Sequence, residues 1–432
     1  MELRSVLGKK RLYLDGGMGT MLQRAGLMAG EKPEQWNLSH PQAVTDIHAA
    51  YLAAGANIIT TNTFGAYRTK YDNLAEVIPA AIANARAAAD RCGREDVWVA
   101  YDVGPLGKLL EPLGDLPFEE AVSIFAESIR LAAVTGRVDL IIIETMNDAY
   151  ETKAAVLAAK ENSDLPVFVT NVFDGSGHLL TGADCTVMAA MLESMGVDAV
   201  GMNCSLGPHQ MAEVAKQYAG VTALPLVVSP NAGLPHVVDG KTVYDVTAEE
   251  FAEVLAEVAA CGAAVMGGCC GTDPEFIRCL TGRTVDIPLC AHGGETRDIV
   301  TSSRKISRAE DGRFEIGTLL KVRDYSEDDL DDLADDAMDE ADEELPVVTL
   351  DVTDARTELA AMAVRAVQEL VSTPLALVGG AAELEGAVRA YNGKPLILCR
   401  EGEEDTARLL AARCGGAAAV YDEENSCACL IK

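Results

Sequence analysis

Aromatic residues and positive charges are both scarce in this chain of 432 residues. Aromatic side chains account for only 5% of the residues, whereas 49% are hydrophobic and there are 38 glycines. This composition argues against an aromatic-rich β sandwich and favours helices packed on a parallel sheet. With 35 Lys and Arg against 67 Asp and Glu, the formal net charge is -32. Nucleic acid and anionic membranes are therefore not expected partners, because both are bound by neutralising phosphate charges.

Long apolar segments are absent as well. No stretch approaches the roughly 20 apolar residues that span a bilayer. The first residues, MELRSV, lack the apolar core of a secretory signal. The 12 cysteines have no regular spacing of the kind found in disulfide frameworks. We therefore expect a protein of the reducing cytoplasm.

Eight short apolar runs alternate with alanine-rich helical stretches in the first two thirds of the chain. Such alternation predicts parallel strands joined by right-handed helical crossovers. Eight units in this length match the size of a closed (β/α)8 TIM barrel, which we expect to occupy residues 1–285. The predicted strands are 12–14, 57–61, 97–101, 140–143, 167–170, 199–202, 226–228 and 263–266.

The rest of the sequence predicts a polar linker over 286–313 and a second, smaller α/β domain over 314–432. About five strands are expected there, at 315–319, 347–350, 375–378, 396–398 and 417–420. The acidic segment 325–344 has apolar residues near helical spacing, which indicates a solvated acidic helix. The Cys427 and Cys429 pair near the end is interpreted as a frayed tail.

Three cysteines in glycine-bracketed settings carry the strongest chemical signal. Cys204 lies in GMNCSLGP (201–208), and Cys269 and Cys270 lie in MGGCCGT (266–272). Each follows a predicted strand, where α/β enzymes place their chemistry. Three thiolates without a fourth protein ligand are typical of a catalytic zinc site with one open position, at which a thiol substrate could bind.

Two other interpretations of these cysteines remain open. Cys269 and Cys270 could form a strained vicinal disulfide, or all three thiols could be buried apolar fillers. The histidines offer no competing metal site, since none has ligand-type spacing, and we expect all six on the surface or in loops. They are His40, His48, His178, His209, His236 and His292.

Polar residues follow the predicted barrel strands at the point where barrel enzymes collect their active sites. Polar groups at the ends of buried strands are costly unless they meet a ligand, a metal or one another. We therefore expect the active site at this mouth of the barrel. The residues are Asp15, Asn62, Asp102, Glu144, Asn171, Cys204, Asn231 and Cys269.

Several of these motifs resemble the homocysteine S-methyltransferase family, and most of all its cobalamin-dependent branch. The resemblance covers residues 1 to about 285 and rests on LDGGMGT (14–20), TTNTF (60–64), IET (143–145), GMNC (201–204) and GGCCG (267–271). It implies zinc held by Cys204, Cys269 and Cys270, with homocysteine as the thiol that becomes methylated to methionine.

With homocysteine as the substrate, the residues at the strand ends offer a set of candidate substrate-binding groups. Glu144 is expected to bind the substrate ammonium, with Asp15 as the next candidate. The turn at Gly16 and Gly17 offers backbone N–H groups to a carboxylate. Asn231 could occupy the open metal position when substrate is absent, although amide oxygen matches a thiolate-rich zinc poorly. Thr20 and Asn62 complete the expected substrate-binding set.

The second domain resembles the first half of the pterin-binding barrel found in the same branch of enzymes. PLAL (374–377) and AYNGKPLI (390–397) carry this likeness, but Gly379, Gly380 and Cys399 stand where pterin-binding polar groups are expected. We therefore expect a truncated domain that does not bind folate. The sequence has no Asp-X-His-X-X-Gly cobalamin pattern, so we expect methylcobalamin only on a separate corrinoid protein. Alternatives are a small donor such as S-methylmethionine or betaine, or a non-catalytic zinc or thiol sensor.

Overall fold

The protein is described by a computed structural model that covers residues 2–238, 241–291 and 293–431. The chain divides into two compact units. Unit 1 comprises Met1–Asn147, Ala154–Leu180 and Val197–Gly294, and unit 2 comprises Asp148–Lys153, Thr181–Gly196 and Glu295–Lys432. In the described residues no helix has the length and apolar character that crossing a membrane would need.

Unit 1 contains the expected barrel of parallel strands. Its eight strands pair in the order β1-β10-β7-β6-β5-β4-β3-β2, and a parallel bridge between Leu14 and Ile58 joins the two outer strands. The (β/α)8 prediction is therefore confirmed. In chain order the strands are β1 (Leu12–Tyr13), β2 (Ile58–Thr60), β3 (Trp98–Val103), β4 (Leu140–Met146), β5 (Val167–Asn171), β6 (Ala199–Asn203), β7 (Leu226–Ser229), the hairpin β8 (His236–Val238) and β9 (Lys241–Val243), and β10 (Ala263–Met266).

Helices separate successive barrel strands, as the alanine-rich stretches predict. Side-chain caps begin several of them: Asp184 and Asp273 each accept backbone N–H groups of the following turn, which satisfies donors left free at a helix start. Along residues 2–294 the helices are α1 (Leu3–Val6), α2 (Met18–Ala25), α3 (Trp36–Ser39), α4 (Pro41–Ala53), α5 (Leu74–Cys92), α6 (Phe118–Ala133), α7 (Ala149–Asn162), α8 (Cys185–Ser194), α9 (Pro208–Ala219), α10 (Ala248–Ala260) and α11 (Pro274–Thr284), with a 3-10 turn at Pro33–Gln35.

One histidine prediction is wrong. His48 lies in α4 with its side chain fully buried, not on the surface or in a loop. Neither ring nitrogen has a hydrogen-bond partner among the described residues. Helix α4 turns His48 inward on the same face as Val44 and Tyr51, so helical periodicity outweighs the polarity of the ring. His209 is exposed beside Glu250, as expected, and His292 lies outside the described residues.

The burial of His48 makes a prediction about acid stability. Burial lowers the pKa of this imidazole from 6.5 to about 4, so the unfolded chain takes up a proton at a higher pH than the folded chain does. Stability is therefore lost as pH falls from about 6.5 towards 4, by about 2 kcal/mol between pH 7 and pH 5. The His48→Leu variant should not show this loss of stability on acidification, whereas the His209→Leu variant should show it as the wild type does.

Denaturant titration at the two pH values measures this difference. Both tryptophans of the chain, Trp36 and Trp98, are buried in unit 1, so their fluorescence reports the unit that contains His48. Equal losses in wild type and His48→Leu would show that this ring takes up its proton without cost in the folded state.

Unit 2 is built on a seven-stranded sheet in the order β13-β19-β18-β17-β16-β15-β14. Strands β14 to β18 run parallel like half of a barrel, and β19 and β13 extend the sheet in antiparallel pairing. The strands are β11 (Ile299–Thr301), β12 (Ile306–Arg308), β13 (Arg313–Glu315), β14 (Leu319–Lys321), β15 (Val348–Asp351), β16 (Leu375–Val378), β17 (Leu396–Cys399), β18 (Ala417–Asp422) and β19 (Cys427–Leu430). The helices are α12 (Leu330–Asp342), α13 (Thr357–Leu370), α14 (Ala381–Ala390) and α15 (Glu404–Cys414), with 3-10 turns at Val322–Asp324 and Glu327–Asp329.

The structure corrects two expectations for unit 2 and confirms a third. The strand predicted at 315–319 is instead the end of β13 and the start of β14, which lie at opposite edges of the sheet and are separated by residues 316–318. The Cys427 and Cys429 segment is not a frayed tail but β19, which pairs with both β13 and β18. The acidic helix is confirmed as α12, which buries Leu330, Leu333, Ala334 and Ala337.

Candidate metal centre and substrate site

Three cysteine sulfurs meet at the carboxyl ends of the barrel strands. Cys204 follows β6 directly, and Cys269 and Cys270 follow β10. Their Sγ atoms all lie within 4.8 Å of one another, with 4.0 Å between Cys204 and Cys270. All three are free thiols. A tetrahedral zinc with Zn–S bonds of about 2.3 Å needs sulfurs ~3.8 Å apart, so this donor set fits zinc.

The backbone leaves strand geometry at both cysteine loops. Cys204 and Ser205 have positive φ values of 59° and 49°, a region that L-residues occupy only where the surroundings hold them. The Cys204 N–H donates to the Ser229 carbonyl at 3.1 Å, and the Cys269 N–H donates to the Pro230 carbonyl at 2.9 Å. The end of β7 therefore holds both ligand loops in place.

Hydrogen bonds connect the three sulfur atoms. The thiols of Cys269 and Cys270 hydrogen-bond to the Cys204 sulfur, which lowers the pKa of Cys204 and raises the pKa values of the other two. A thiolate at Cys204 would therefore be stabilised by hydrogen bonds from the other two thiols. A cation bound by all three sulfurs would displace the two remaining protons.

Two asparagines orient this cluster. Asn231 accepts the Cys270 N–H at 3.0 Å through its side-chain oxygen, and its side chain also hydrogen-bonds to the Cys204 sulfur. Asn203, which the sequence analysis did not select, donates to the Cys269 sulfur at 3.8 Å. Outer contacts of this kind fix the orientation of metal ligands.

Tyr244 is a second site residue that sequence reasoning missed. Its ring packs so closely on Gly271 that a Cβ there would lie 2.4 Å from the ring. Burial, followed by the charge of Cys270, raises the pKa of Tyr244 to about 12, and its hydroxyl hydrogen-bonds to the Cys270 sulfur. Tyr244 therefore shields one side of the cluster while it keeps its proton.

Glu144 lies within β4, at an irregularity in strand pairing between Ile143 and Met146. The next residue, Thr145, has φ 61°, which is a strained value for a β-branched side chain. Asn203 stabilises this strained backbone conformation, since its side chain accepts the Thr145 N–H at 2.9 Å and donates to the Thr145 hydroxyl at 2.8 Å. Asn203 thus joins the Glu144 bulge to the Cys269 ligand.

The Glu144 carboxyl lies close enough to other acidic groups for their charges to act on it. Burial raises its pKa to about 8, with further contributions from Asp15 and Cys204. Asp15 is 3% exposed, and burial raises its pKa to about 7 against hydrogen bonds from Thr60. The Thr60 N–H donates to Asp15 at 2.8 Å. Buried carboxyls with raised pKa values are typical of functional sites, and we call the group formed by Glu144, Asp15 and their acidic neighbours the acidic recess.

The glycine turn after β1 packs directly against the cysteine loop. A Cβ on Gly17 would lie 2.8 Å from the Cys269 carbonyl oxygen, and a Cβ on Gly16 would lie 2.5 Å from the Thr272 hydroxyl. The Gly17 N–H donates to the Thr272 hydroxyl at 3.1 Å. These glycines are required for close approach of the two loops, whatever ligand they also contact.

Thr20 and Asn62 make local contacts in this structure. The Thr20 hydroxyl accepts the Gly271 N–H at 3.0 Å and so supports the turn after Cys270. The Asn62 side chain donates to the Pro33 carbonyl at 2.8 Å, which ties the end of β2 to the turn at Pro33–Gln35. Their expected contact with substrate stays a prediction.

Comparison with known proteins agrees with this geometry. Residues 12–284 match the family model for homocysteine S-methyltransferase. Methionine synthases from Mycobacterium leprae (strain TN) and Mycobacterium tuberculosis (strain ATCC 25618 / H37Rv) are each 32% identical over 297 residues, or 64% of this chain. The alignments cover 24% and 25% of those proteins, so the chain spans about a quarter of the length of these curated relatives.

A solved structure supports the same conclusion. The metallated form of the homocysteine methyltransferase MmuM from Escherichia coli is 25% identical with a TM-score of 0.56, and the match covers 65% of this chain and 99% of that one. The resemblance drawn from the strand-end motifs is therefore confirmed. Because the family match extends over more than half of its residues and includes all three clustered cysteines, the chain belongs to the homocysteine S-methyltransferase family.

Proposed function

We propose that this protein catalyses zinc-dependent methyl transfer to the sulfur of homocysteine, giving methionine, with the methyl group delivered by a separate methylcobalamin-carrying corrinoid protein. The observation that carries the proposal is the meeting of Cys204, Cys269 and Cys270 within 4.8 Å at the mouth of the barrel. Three thiolates with an open fourth position suit a thiol substrate better than a scaffold.

Thiol ionisation is the chemical problem that this site must solve. A free thiol with a pKa near 8.5 is only a few per cent thiolate at neutral pH. Zinc held by the three cysteines would supply a deprotonated, nucleophilic substrate sulfur. In the transfer, a sulfur lone pair forms the S–CH3 bond while the bond between the methyl carbon and its carrier breaks, and the carrier keeps that electron pair.

The protein residues hold the rest of the amino acid. Glu144 is proposed to bind the α-ammonium group, because its carboxyl lies in the same recess as Asp15 and is influenced by Cys204. Asp15, Gly16 and Gly17 would shape the pocket for the α-carboxylate from the β1 side. Asn231 orients Cys270 and Cys204. Because its side-chain oxygen already accepts the Cys270 N–H, it would support the metal ligands and would not coordinate the metal itself.

The corrinoid donor rests on the resemblance of the strand-end motifs to the cobalamin-dependent branch, and the mycobacterial relatives, of which this chain spans about a quarter, are methionine synthases. A small donor such as S-methylmethionine or betaine is the alternative. The Escherichia coli homocysteine methyltransferase, 99% of which is matched by part of this chain, leaves the choice of donor open. We further propose that residues 314–432 form a pterin-binding-like domain without folate binding, and that the protein works in the cytoplasm, where thiols stay reduced.

An assay of methionine formation separates these donors. Zinc-loaded protein and homocysteine would be mixed in turn with a methylated corrinoid protein, free methylcobalamin, S-methylmethionine and betaine. Turnover with the corrinoid protein alone is the expected result. Turnover with a small donor would replace the corrinoid proposal, and zinc binding without any homocysteine binding would indicate a thiol or zinc sensor instead.

A further inference from the structure

Asp102 is a buried carboxylate, and one of its side-chain oxygens has no hydrogen-bond partner among the described residues. It lies near the carboxyl end of β3 with 6% of its surface exposed. Its Oδ1 atom accepts no hydrogen bond within the described part of the chain. A buried polar atom without a partner destabilises the folded protein, so its retention points to a ligand group that completes it.

The backbone of Asp102 is fixed by the neighbouring β2 loop. Its N–H donates to the Thr61 hydroxyl at 3.1 Å, and its carbonyl accepts the Thr63 hydroxyl at 2.8 Å. The two threonine hydroxyls are themselves hydrogen-bonded at 2.7 Å. This closed network holds the main chain of Asp102 at the mouth of the barrel, where the residue is buried.

Asp102 shares the acidic recess of the candidate site. Burial raises its pKa well above the usual value, and the charges of Glu144, Asp15 and Glu34 raise it further. Two of these three neighbours already have partners: Asp15 accepts hydrogen bonds from Thr60, and Glu34 accepts the Gly65 N–H. A cation bound in this recess would reduce the electrostatic repulsion between the carboxyl groups. If it carries N–H groups, one of them would donate a hydrogen bond to Oδ1 of Asp102.

We propose that Asp102 acts together with Glu144 to bind the α-ammonium group of the substrate and thereby restricts the site to amino-acid thiols. An ammonium group has three N–H donors, and in a buried recess it needs more than one acceptor. Asp102 on β3 pairs with Ile142 of the adjacent strand β4, two residues before Glu144, so the two carboxylates lie on neighbouring strands at the same end of the barrel. The inference rests on the proposed function, since it names a contact of the same substrate.

The test compares homocysteine with 4-mercaptobutyrate, which keeps the thiol and the carboxylate but lacks the amino group. Calorimetric titration of zinc-loaded wild type, Asp102→Asn and the loop control Asp115→Asn measures both affinities. Asp115 is exposed. Asp102→Asn should weaken homocysteine binding by about 30-fold or more, as loss of a charge-assisted hydrogen bond predicts. Binding of 4-mercaptobutyrate should change by less than about twofold, because it offers no ammonium group to Asp102.

Each other outcome has a distinct meaning. If both ligands weaken equally in Asp102→Asn, or if that variant loses zinc, the carboxylate has a structural role and the inference is overturned. If wild type binds homocysteine and Asp102→Asn binds it equally well, only the Asp102 assignment fails. If zinc-loaded wild type binds no homocysteine, the proposed function itself fails and the inference fails with it.

Discussion

Replacement of Cys204 by serine is expected to remove stoichiometric zinc binding and methionine formation together. Cys204 is the proposed ligand whose sulfur receives hydrogen bonds from the thiols of both other cysteines and lies 4.0 Å from that of Cys270. A serine oxygen is a poorer match for zinc than a thiolate. The loss of affinity should therefore exceed the about 10- to 100-fold that changes outside the ligand set cost.

Cys92→Ser is the matched control, because Cys92 ends α5 and is not part of the sulfur cluster. It should keep one zinc per chain and full activity. Metal analysis after dialysis and a competition titration with a chelator measure both variants. A Cys204→Ser protein that keeps one tightly bound zinc would show that the metal lies elsewhere and would remove the basis of the proposed mechanism.

The cysteine cluster and the barrel could be predicted because their signals are local. Each predicted barrel strand is a short run rich in apolar and β-branched residues, and Cys204 and Cys269 follow two of these runs within three residues. The end of a parallel strand fixes which face of the barrel a residue occupies. Residues far apart in sequence could therefore be assigned to one site without knowledge of any contact.

The residues that sequence reasoning missed act across the fold. Asn203 joins Thr145 on β4 to Cys269 after β10, and no pattern along the chain encodes that pair of contacts. Its position directly before Cys204, at the end of a buried run, was the one available signal. Tyr244 lies in a loop after β9, where neither periodicity nor spacing points to the cysteines.

The errors in unit 2 have a related physical origin. An isolated short strand such as β19 has little signal of its own, and its stability comes from pairing with β13 and β18 on both sides. The predicted strand at 315–319 combined the ends of two real strands, because their residues are close in sequence although the two strands lie at opposite edges of the sheet. Tertiary pairing overrides local propensity in both cases.

Replacement of Glu144 by glutamine is expected to lower kcat/KM for homocysteine by about 100-fold, which corresponds to loss of one partner of a desolvated charge pair. Glutamine keeps the shape and size of the side chain but cannot carry the charge that an ammonium group requires. The strained turn at Thr145 is held by Asn203, so it should persist. Zinc content should therefore remain one per chain.

Glu161→Gln offers a control of the same chemistry, since Glu161 is an exposed residue near the end of α7. Steady-state kinetics and metal analysis of the two variants distinguish an effect on substrate binding from an effect on zinc binding. A rise in KM with retained zinc is the result that a role in ammonium binding requires. If Glu144→Gln instead lost zinc in proportion to its activity, the carboxylate would be acting on the Cys204 side of the recess, and the ammonium would have to be bound by Asp102 and Asp15 without it.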